Sequence, residues 1–127
     1  MTGGREAIPA LFVYNTDMAR ATVIGLQGDL GSGKTFFVQR FGEIVGVKEF
    51  IISPTFVLIK RYPIDWQGFK NLIHIDAYRL EHESELVKLG WNELISNKNN
   101  LIFIEWPERV KAIIPEDSKI IQFKHDN

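Results

Sequence analysis

The sequence predicts an α/β protein, a three-layer sandwich on a mixed sheet with a parallel centre and one antiparallel hairpin. Three observations predict it. An apolar, β-branched run at residues 21–27 enters a glycine-rich stretch at 28–35, and a helical pattern leaves it. Residues 101–104, Leu-Ile-Phe-Ile, are apolar without alternation, as in a strand buried on both faces. Strand-like and helix-like segments alternate along 127 residues, a length that suits a single domain over residues 1–127.

Taken in order, residues 6–14 fit two readings. Ala7, Ala10, Leu11 and Tyr14 fall at helical spacing, whereas 11–14 also read as a strand, and Pro9 suits a helix only near its start. Residues 22–26 read as the first strand, and the helix leaving the loop reads over 36–42 with Gly42 as its stop, or more fully over about Lys34–Val45. Phe50-Ile51-Ile52 leads into Ser53-Pro54-Thr55. Residues 56–62 are strand-like, 63–68 read as a turn around Pro63 and Gly68, and 71–76 as the returning strand of a hairpin. Residues 81–89 predict a helix stopped by Gly90, and 91–96 a second short one. After the central strand at 101–104, residues 107–112 predict a helix with proline at its first position, and 119–123 a closing strand.

The glycine-rich stretch carries the chemistry. Gly28-Asp29-Leu30-Gly31-Ser32-Gly33-Lys34-Thr35 matches G-x-x-x-x-G-K-[ST] at every fixed position. Gly28, Gly31 and Gly33 allow the backbone to wrap around an anion. The amides of Asp29, Leu30, Gly31, Ser32 and Gly33 then face phosphate oxygens, and the following helix adds its positive end. Lys34 reaches the outer phosphates as a point charge, and the Thr35 hydroxyl is placed to ligate Mg²⁺. Strand, loop and helix in this order mark a P-loop nucleotide-binding fold. Its ligand belongs at the carboxyl ends of the parallel strands.

Such a site needs acids beyond the loop. The apolar strand at 101–104 runs straight into Glu105, placing a carboxylate at the sheet edge beside Thr35. Asp76 ends the hairpin's return strand. Alternation puts it on one face with His74, and Ile73 and Ile75 on the other. A His–Asp pair on a hairpin is equally compatible with a plain solvated face, and His74 alone reads as structural. Ser53-Pro54-Thr55 occupies the interval where nucleotide switches carry a hydroxyl that senses the outer phosphate, and it also reads as an ordinary Ser-Pro turn. Arg79 and Arg109 suit charge neutralisation or pairing with Glu81 and Glu108. Trp66 and Trp106 read as packing residues. Residues 97–100, Asn-Lys-Asn-Asn, precede their strand and end in Asn, so they do not form a guanine reader.

Composition narrows the class. Hydrophobic residues make up 45% and charged residues 24%, enough apolar material for a packed core. A net charge of −1 gives no basic excess for direct nucleic-acid binding. Without cysteine there are no disulfides or thiolate metal sites. No signal-peptide pattern and no apolar run of about 20 residues is present, so the expectation is a cytoplasmic protein with no membrane contact.

With these motifs assembled, the chain resembles the TsaE (YjeE) family, small P-loop ATPases of bacterial tRNA threonylcarbamoyladenosine biosynthesis. The resemblance covers residues 22–118. It rests on the loop from Gly28 to Thr35, on Ser53-Pro54-Thr55-Phe56, on His74-Ile75-Asp76-Ala77-Tyr78-Arg79-Leu80, and on Ile104-Glu105-Trp106-Pro107-Glu108-Arg109, with Leu89-Gly90 between them. It implies ATP and Mg²⁺ as ligands. It implies phosphate and metal contacts at Lys34 and Thr35, with Glu105 sharing the metal shell. It makes Asp76 and Glu105 metal-shell or water-orienting residues, Thr55 a switch residue, and Trp106 a neighbour of the nucleotide. The partners it implies are TsaD and TsaB, with tRNA met only through the complex. The expected activity is a Mg²⁺-dependent ATPase, slow alone and faster with partners. A small-molecule kinase using the same loop is the alternative. Three departures stand out: Phe36 where a second Thr is common, Ala77 in place of a larger apolar residue, and a short segment before Thr22.

Overall fold

Five runs rich in β-branched and aromatic residues pair into one sheet in the computed structural model, which describes residues 20–49 and 58–124. They are β1 (Thr22–Gln27), β2 (Ile59–Trp66), β3 (Phe69–Asp76), β4 (Asn100–Glu105) and β5 (Lys119–Gln122), in the spatial order β2-β3-β4-β1-β5. β3, β4, β1 and β5 run parallel, and β2 joins the edge antiparallel to β3. The helices are α1 (Lys34–Val45), α2 (Glu83–Lys88) and α3 (Trp91–Ile95), followed by a 3₁₀ turn at Pro107–Val110.

Alternation along the central strands creates the layers. Leu101 and Phe103 of β4, with Ile24, Leu26 and Leu72, pack against Val38, Phe41 and Val45 of α1. Ile102 and Ile104, with Val23, Ile73 and Ile75, pack against Leu86 of α2, Trp91 and Leu94 of α3, and Val110. Every residue of β4 is buried, as its unbroken apolar run requires. Burying each large aliphatic or aromatic side chain contributes about 1.5–3 kcal/mol, so these two faces hold the parallel strand ends in a fixed register.

The helix start at Lys34 and its end at Val45 fall where the sequence places them. Elsewhere the structure corrects the reading. Residues 63–66 are strand, not turn, and the chain reverses only at Gln67 and Gly68. Pro63 is tolerated because β2 is an edge strand with a register shift between Pro63 and Trp66. Tyr62, Ile64 and Trp66 keep the period of two that buries one face. The helix expected from residue 81 begins at Glu83, because His82 caps it reciprocally with Glu85. The helix expected over 107–112 is a single 3₁₀ turn ending at Val110. The alternatives at 6–14 and the segment 50–57, including Ser53-Pro54-Thr55, lie outside the described residues.

Packing around β1 is tight where the loop begins. A Cβ on Gly25 would stand 2.6 Å from Ile120 Cδ1 and 2.9 Å from Pro107 Cγ. Among the described residues, no helix is long and apolar enough to cross a membrane.

Candidate functional site

β1 ends at Gln27, and the chain turns through residues 28–33 into α1. Gly33 caps the helix with a left-handed backbone, φ 103° and ψ 11°, which a Cβ would strain. No side chain caps α1, so the first amides of the helix remain for an incoming acceptor. A Cβ on Gly28 would meet Ser32 Oγ at 2.6 Å and the Phe123 carbonyl at 2.7 Å, so only glycine fits where the loop leaves the sheet. The Ser32 amide donates to the Asp29 carbonyl at 3.1 Å and closes the loop on itself.

Lys34 is buried, a costly place for an ammonium. Its Nζ donates to the Gly28 carbonyl and, at 3.2 Å, to the Asp29 carbonyl, and it stands 3.9 Å from the centre of the Trp106 ring. Burial lowers the Lys34 pKa below the ordinary lysine range, while Glu105, Glu108, Asp76 and Asp29 pull the other way. Trp106 holds its position through a left-handed backbone, φ 62°, a hydrogen bond its amide donates to the Leu26 carbonyl at 3.2 Å, and contact with Tyr78 at 5.0 Å between ring centres. Arg109 lies over the tyrosine of that pair, its guanidinium carbon 5.6 Å from the Tyr78 ring centre.

Two carboxylates end neighbouring strands. Register pairs Asp76 of β3 with Glu105 of β4. Glu105 Oε2 accepts the Thr35 hydroxyl at 2.9 Å and lies 2.6 Å from His74 Nε2. Since that oxygen only accepts, the His74 proton sits on Nε2, and the buried Nδ1 is left without a partner. Asp76 Oδ1 accepts the Tyr78 amide at 2.9 Å. Burial raises the Asp76 pKa above the ordinary aspartate range, and the neighbouring Glu105 adds to the rise. The Tyr78 amide, His74 and Lys34 act against it.

Leu30, Gly31, Ser32, Gly33, Lys34, Thr35, Asp76, Glu105 and Trp106, all singled out from the sequence, line one cleft of about 320 Å³. Asp29, also singled out, does not line the cleft; its carbonyl accepts the Ser32 amide and the Lys34 ammonium. Thr55 lies outside the described residues. Phe36 and Tyr78 complete the cleft. His74 is fully buried, in keeping with its structural reading, and the solvated face that a His–Asp pair on a hairpin also allowed is not what β3 presents there. The signal for it was the apolar run on both sides of β3, which marks a strand without a wet face.

Oxygen donors from Thr35 and Glu105 suit a hard cation such as Mg²⁺, which takes one or two protein oxygens and fills its octahedron with phosphate and water. Among the described residues there is no cluster of three or more His, Cys, Asp or Glu side chains that would make a closed protein cage.

The profile of the family described as "Threonylcarbamoyl adenosine biosynthesis protein TsaE" matches residues 7–127. The chain is 37% identical over 102 residues to the tRNA threonylcarbamoyladenosine biosynthesis protein TsaE of Bacillus subtilis, covering 80% of this chain and 61% of that protein. It is 41% identical over 96 residues to the protein of the same name from Nostoc, covering 73% and 57%. It thus spans 57–61% of the length of these relatives. A crystal structure of Bacillus subtilis YdiB superposes with a TM-score of 0.65 at 28% identity, covering 85% of this chain and 62% of that one.

Proposed function

This chain belongs to the TsaE family, and from that premise we propose that it binds and hydrolyses ATP with Mg²⁺ as a subunit of the assembly that makes threonylcarbamoyladenosine beside the tRNA anticodon. One observation carries the reading. The Thr35 hydroxyl at the mouth of the glycine loop and the Glu105 carboxylate at the end of the adjacent strand meet at 2.9 Å. A loop, a hydroxyl and a strand-end acid converging on one point are what a metal-bound triphosphate requires.

Each residue then has a task. Backbone amides of the glycine loop and of the first turn of α1, apart from that of Ser32, hold the outer phosphates, and α1 adds its positive end. Lys34 neutralises charge on the outer phosphates, and Trp106 backs its ammonium. Mg²⁺, when held by Thr35 and Glu105, supplies Lewis-acid polarisation of the phosphate oxygens. Asp76 and Glu105 accept hydrogen bonds from the attacking water and orient it. His74 keeps Glu105 aimed at Thr35 through the 2.6 Å contact. Thr55 is the proposed sensor of the outer phosphate. TsaD and TsaB are the proposed partners, with hydrolysis resetting or activating them between turnovers.

Labelled ATP incubated with the protein, alone and then with TsaB and TsaD, tests the proposal. A P-loop enzyme without a supplied arginine turns over at about 10⁻⁴ s⁻¹, so slow release alone and faster release with partners is the expected result. Lys34→Ala lowers ATP affinity about tenfold or more, because charge-assisted hydrogen bonds contribute roughly 1.5–3 kcal/mol. Wild-type binding in that variant, or a rate that partners leave unchanged, overturns the proposal. Label passing to a small acceptor supports the kinase instead.

A further inference from the structure

The backbone bends out of its ordinary range to place Trp106. Among the described residues, two that are not glycine take a positive φ, Gln67 and Trp106. Gln67 sits in the reversal between β2 and β3, where a tight hairpin calls for that conformation. Trp106 directly follows β4, and its φ of 62° turns the chain away from the strand direction. Strain of this kind outside a tight turn marks a side chain that is needed in one place.

That place is the middle of a column. Lys34 Nζ stands 3.9 Å from the Trp106 ring centre, and the Trp106 and Tyr78 rings are 5.0 Å apart and tilted by 49°. The Arg109 guanidinium carbon, 5.6 Å from the Tyr78 ring centre, in turn holds that ring. These separations fall within the reach of cation–ring attraction, about 6 Å, and of ring pairs, about 4.5–7 Å. Among the described residues neither Lys34 nor Arg109 is in an ion pair, so aromatic faces stand where carboxylates ordinarily would. Trp106 and Tyr78 are both only half-buried, and packing against the core does not by itself lock either ring.

We propose that Tyr78 is a positioning residue for Lys34. Acting through Trp106, it holds the indole as the seat on which the ammonium pivots from the loop carbonyls to the outer phosphates. This rests on the phosphate-loop reading of the proposed function. An ammonium has three N–H donors. Here they meet the Gly28 carbonyl, the Asp29 carbonyl and the indole face. An incoming phosphate replaces the two carbonyls, and the indole contact is the one that persists through the exchange. Tyr78 reaches Asp76 through its backbone amide, so changes to its side chain spare that bond.

Calorimetric titration with Mg²⁺–ATP and proton NMR of the nucleotide-free protein test the proposal together. Tyr78→Ala weakens Mg²⁺–ATP about three- to tenfold, the scale of one aromatic pair, and Tyr78→Phe restores wild-type affinity. Tyr78→Leu, which keeps apolar bulk without a ring, behaves as Tyr78→Ala does and replaces it where that variant does not fold. In a Lys34→Ala background the Tyr78→Ala step costs nothing further, because the ammonium it served is gone. In the nucleotide-free spectrum the Lys34 ε-protons lie upfield of ordinary lysine in wild type and in Tyr78→Phe, through the indole ring current. They return to the ordinary position in Tyr78→Ala. Unchanged ATP affinity in Tyr78→Ala, an equal loss with and without Lys34, or no recovery in Tyr78→Phe overturns the proposal. An ordinary Lys34 shift in wild type, or one that stays upfield in Tyr78→Ala, overturns it too and leaves the phosphate-loop reading standing. If wild type binds no Mg²⁺–ATP, the phosphate-loop reading fails and the positioning role falls with it, whatever the shifts show.

Discussion

β3 and β4 bury polar residues at both ends, and the two ends are built on opposite terms. At the amino end, Asn71 pairs with Asn100. The Asn71 amide donates to Asn100 Oδ1 at 2.9 Å, and the Asn100 amide donates to the Leu94 carbonyl at 3.0 Å. The pair is neutral and complementary. At the carboxyl end, Asp76 pairs with Glu105, two acids in the same register. Beside them lie a buried lysine and a histidine with an orphaned ring nitrogen. Stability favours the first arrangement and opposes the second. Tension confined to one end of a strand pair fits the end proposed to serve chemistry.

Substitutions at the two ends should therefore separate activity from stability. The largest effect belongs to Glu105→Gln. Hydrolysis falls about 100-fold or more, ATP affinity stays within about threefold, and the melting temperature does not drop. His74→Leu leaves the Glu105 carboxylate without its buried partner and costs about 10- to 100-fold in turnover. His74→Gln places an amide donor near the position of Nε2 and recovers most of it, which loss of packing alone would not permit.

Asn100→Ala is the counterpart at the other end. It strands the Asn71 amide and costs about 1–3 kcal/mol, read as a melting temperature lower by roughly 4–12 °C. Turnover per folded molecule stays at the wild-type value. A loss of turnover there, or a large loss of stability in Glu105→Gln, would erase the distinction between the ends.

The smallest effect is a gain. A carboxyl whose native pKa is raised favours the folded state only while protonated, and that advantage is lost as pH climbs past the ordinary aspartate value of about 4. Asp76→Asn, which keeps an oxygen for the Tyr78 amide, should melt about 2 °C above the parent at pH 7. The gap should close as pH falls toward 4, while hydrolysis is lost throughout. A lower melting temperature at neutral pH would mean the carboxylate is not under strain.

Much of this was legible in the sequence, and for local reasons. Glycine spacing, an apolar strand before it and a helical pattern after it fix β1, the loop and α1. Glu105 was readable because an uninterrupted apolar run delivers it to a sheet edge. The parts that were not legible depend on pairing. Nothing in the spacing of residues 71–76 and 100–105 says that Asp76 lies opposite Glu105, because register is set by tertiary packing. Pro63 is a turn signal in isolation and an edge-strand residue once β2 has no further neighbour. For the His74–Asp76 face, a solvated surface and a buried one stay equally open until α1 is laid over the sheet.

Gly25 carries the last consequence. Between the Ile120 tip and the Pro107 ring, the position takes a methyl group only if those neighbours shift. Three segments far apart in the chain are thereby tied to one another in sequence space. Drift at 25 requires the half-exposed Ile120 tip to swing aside and the Pro107 ring to give way, and a library aimed at a hardier variant should hold Gly25 and Pro107 constant and spend its diversity on the exposed edge of β2.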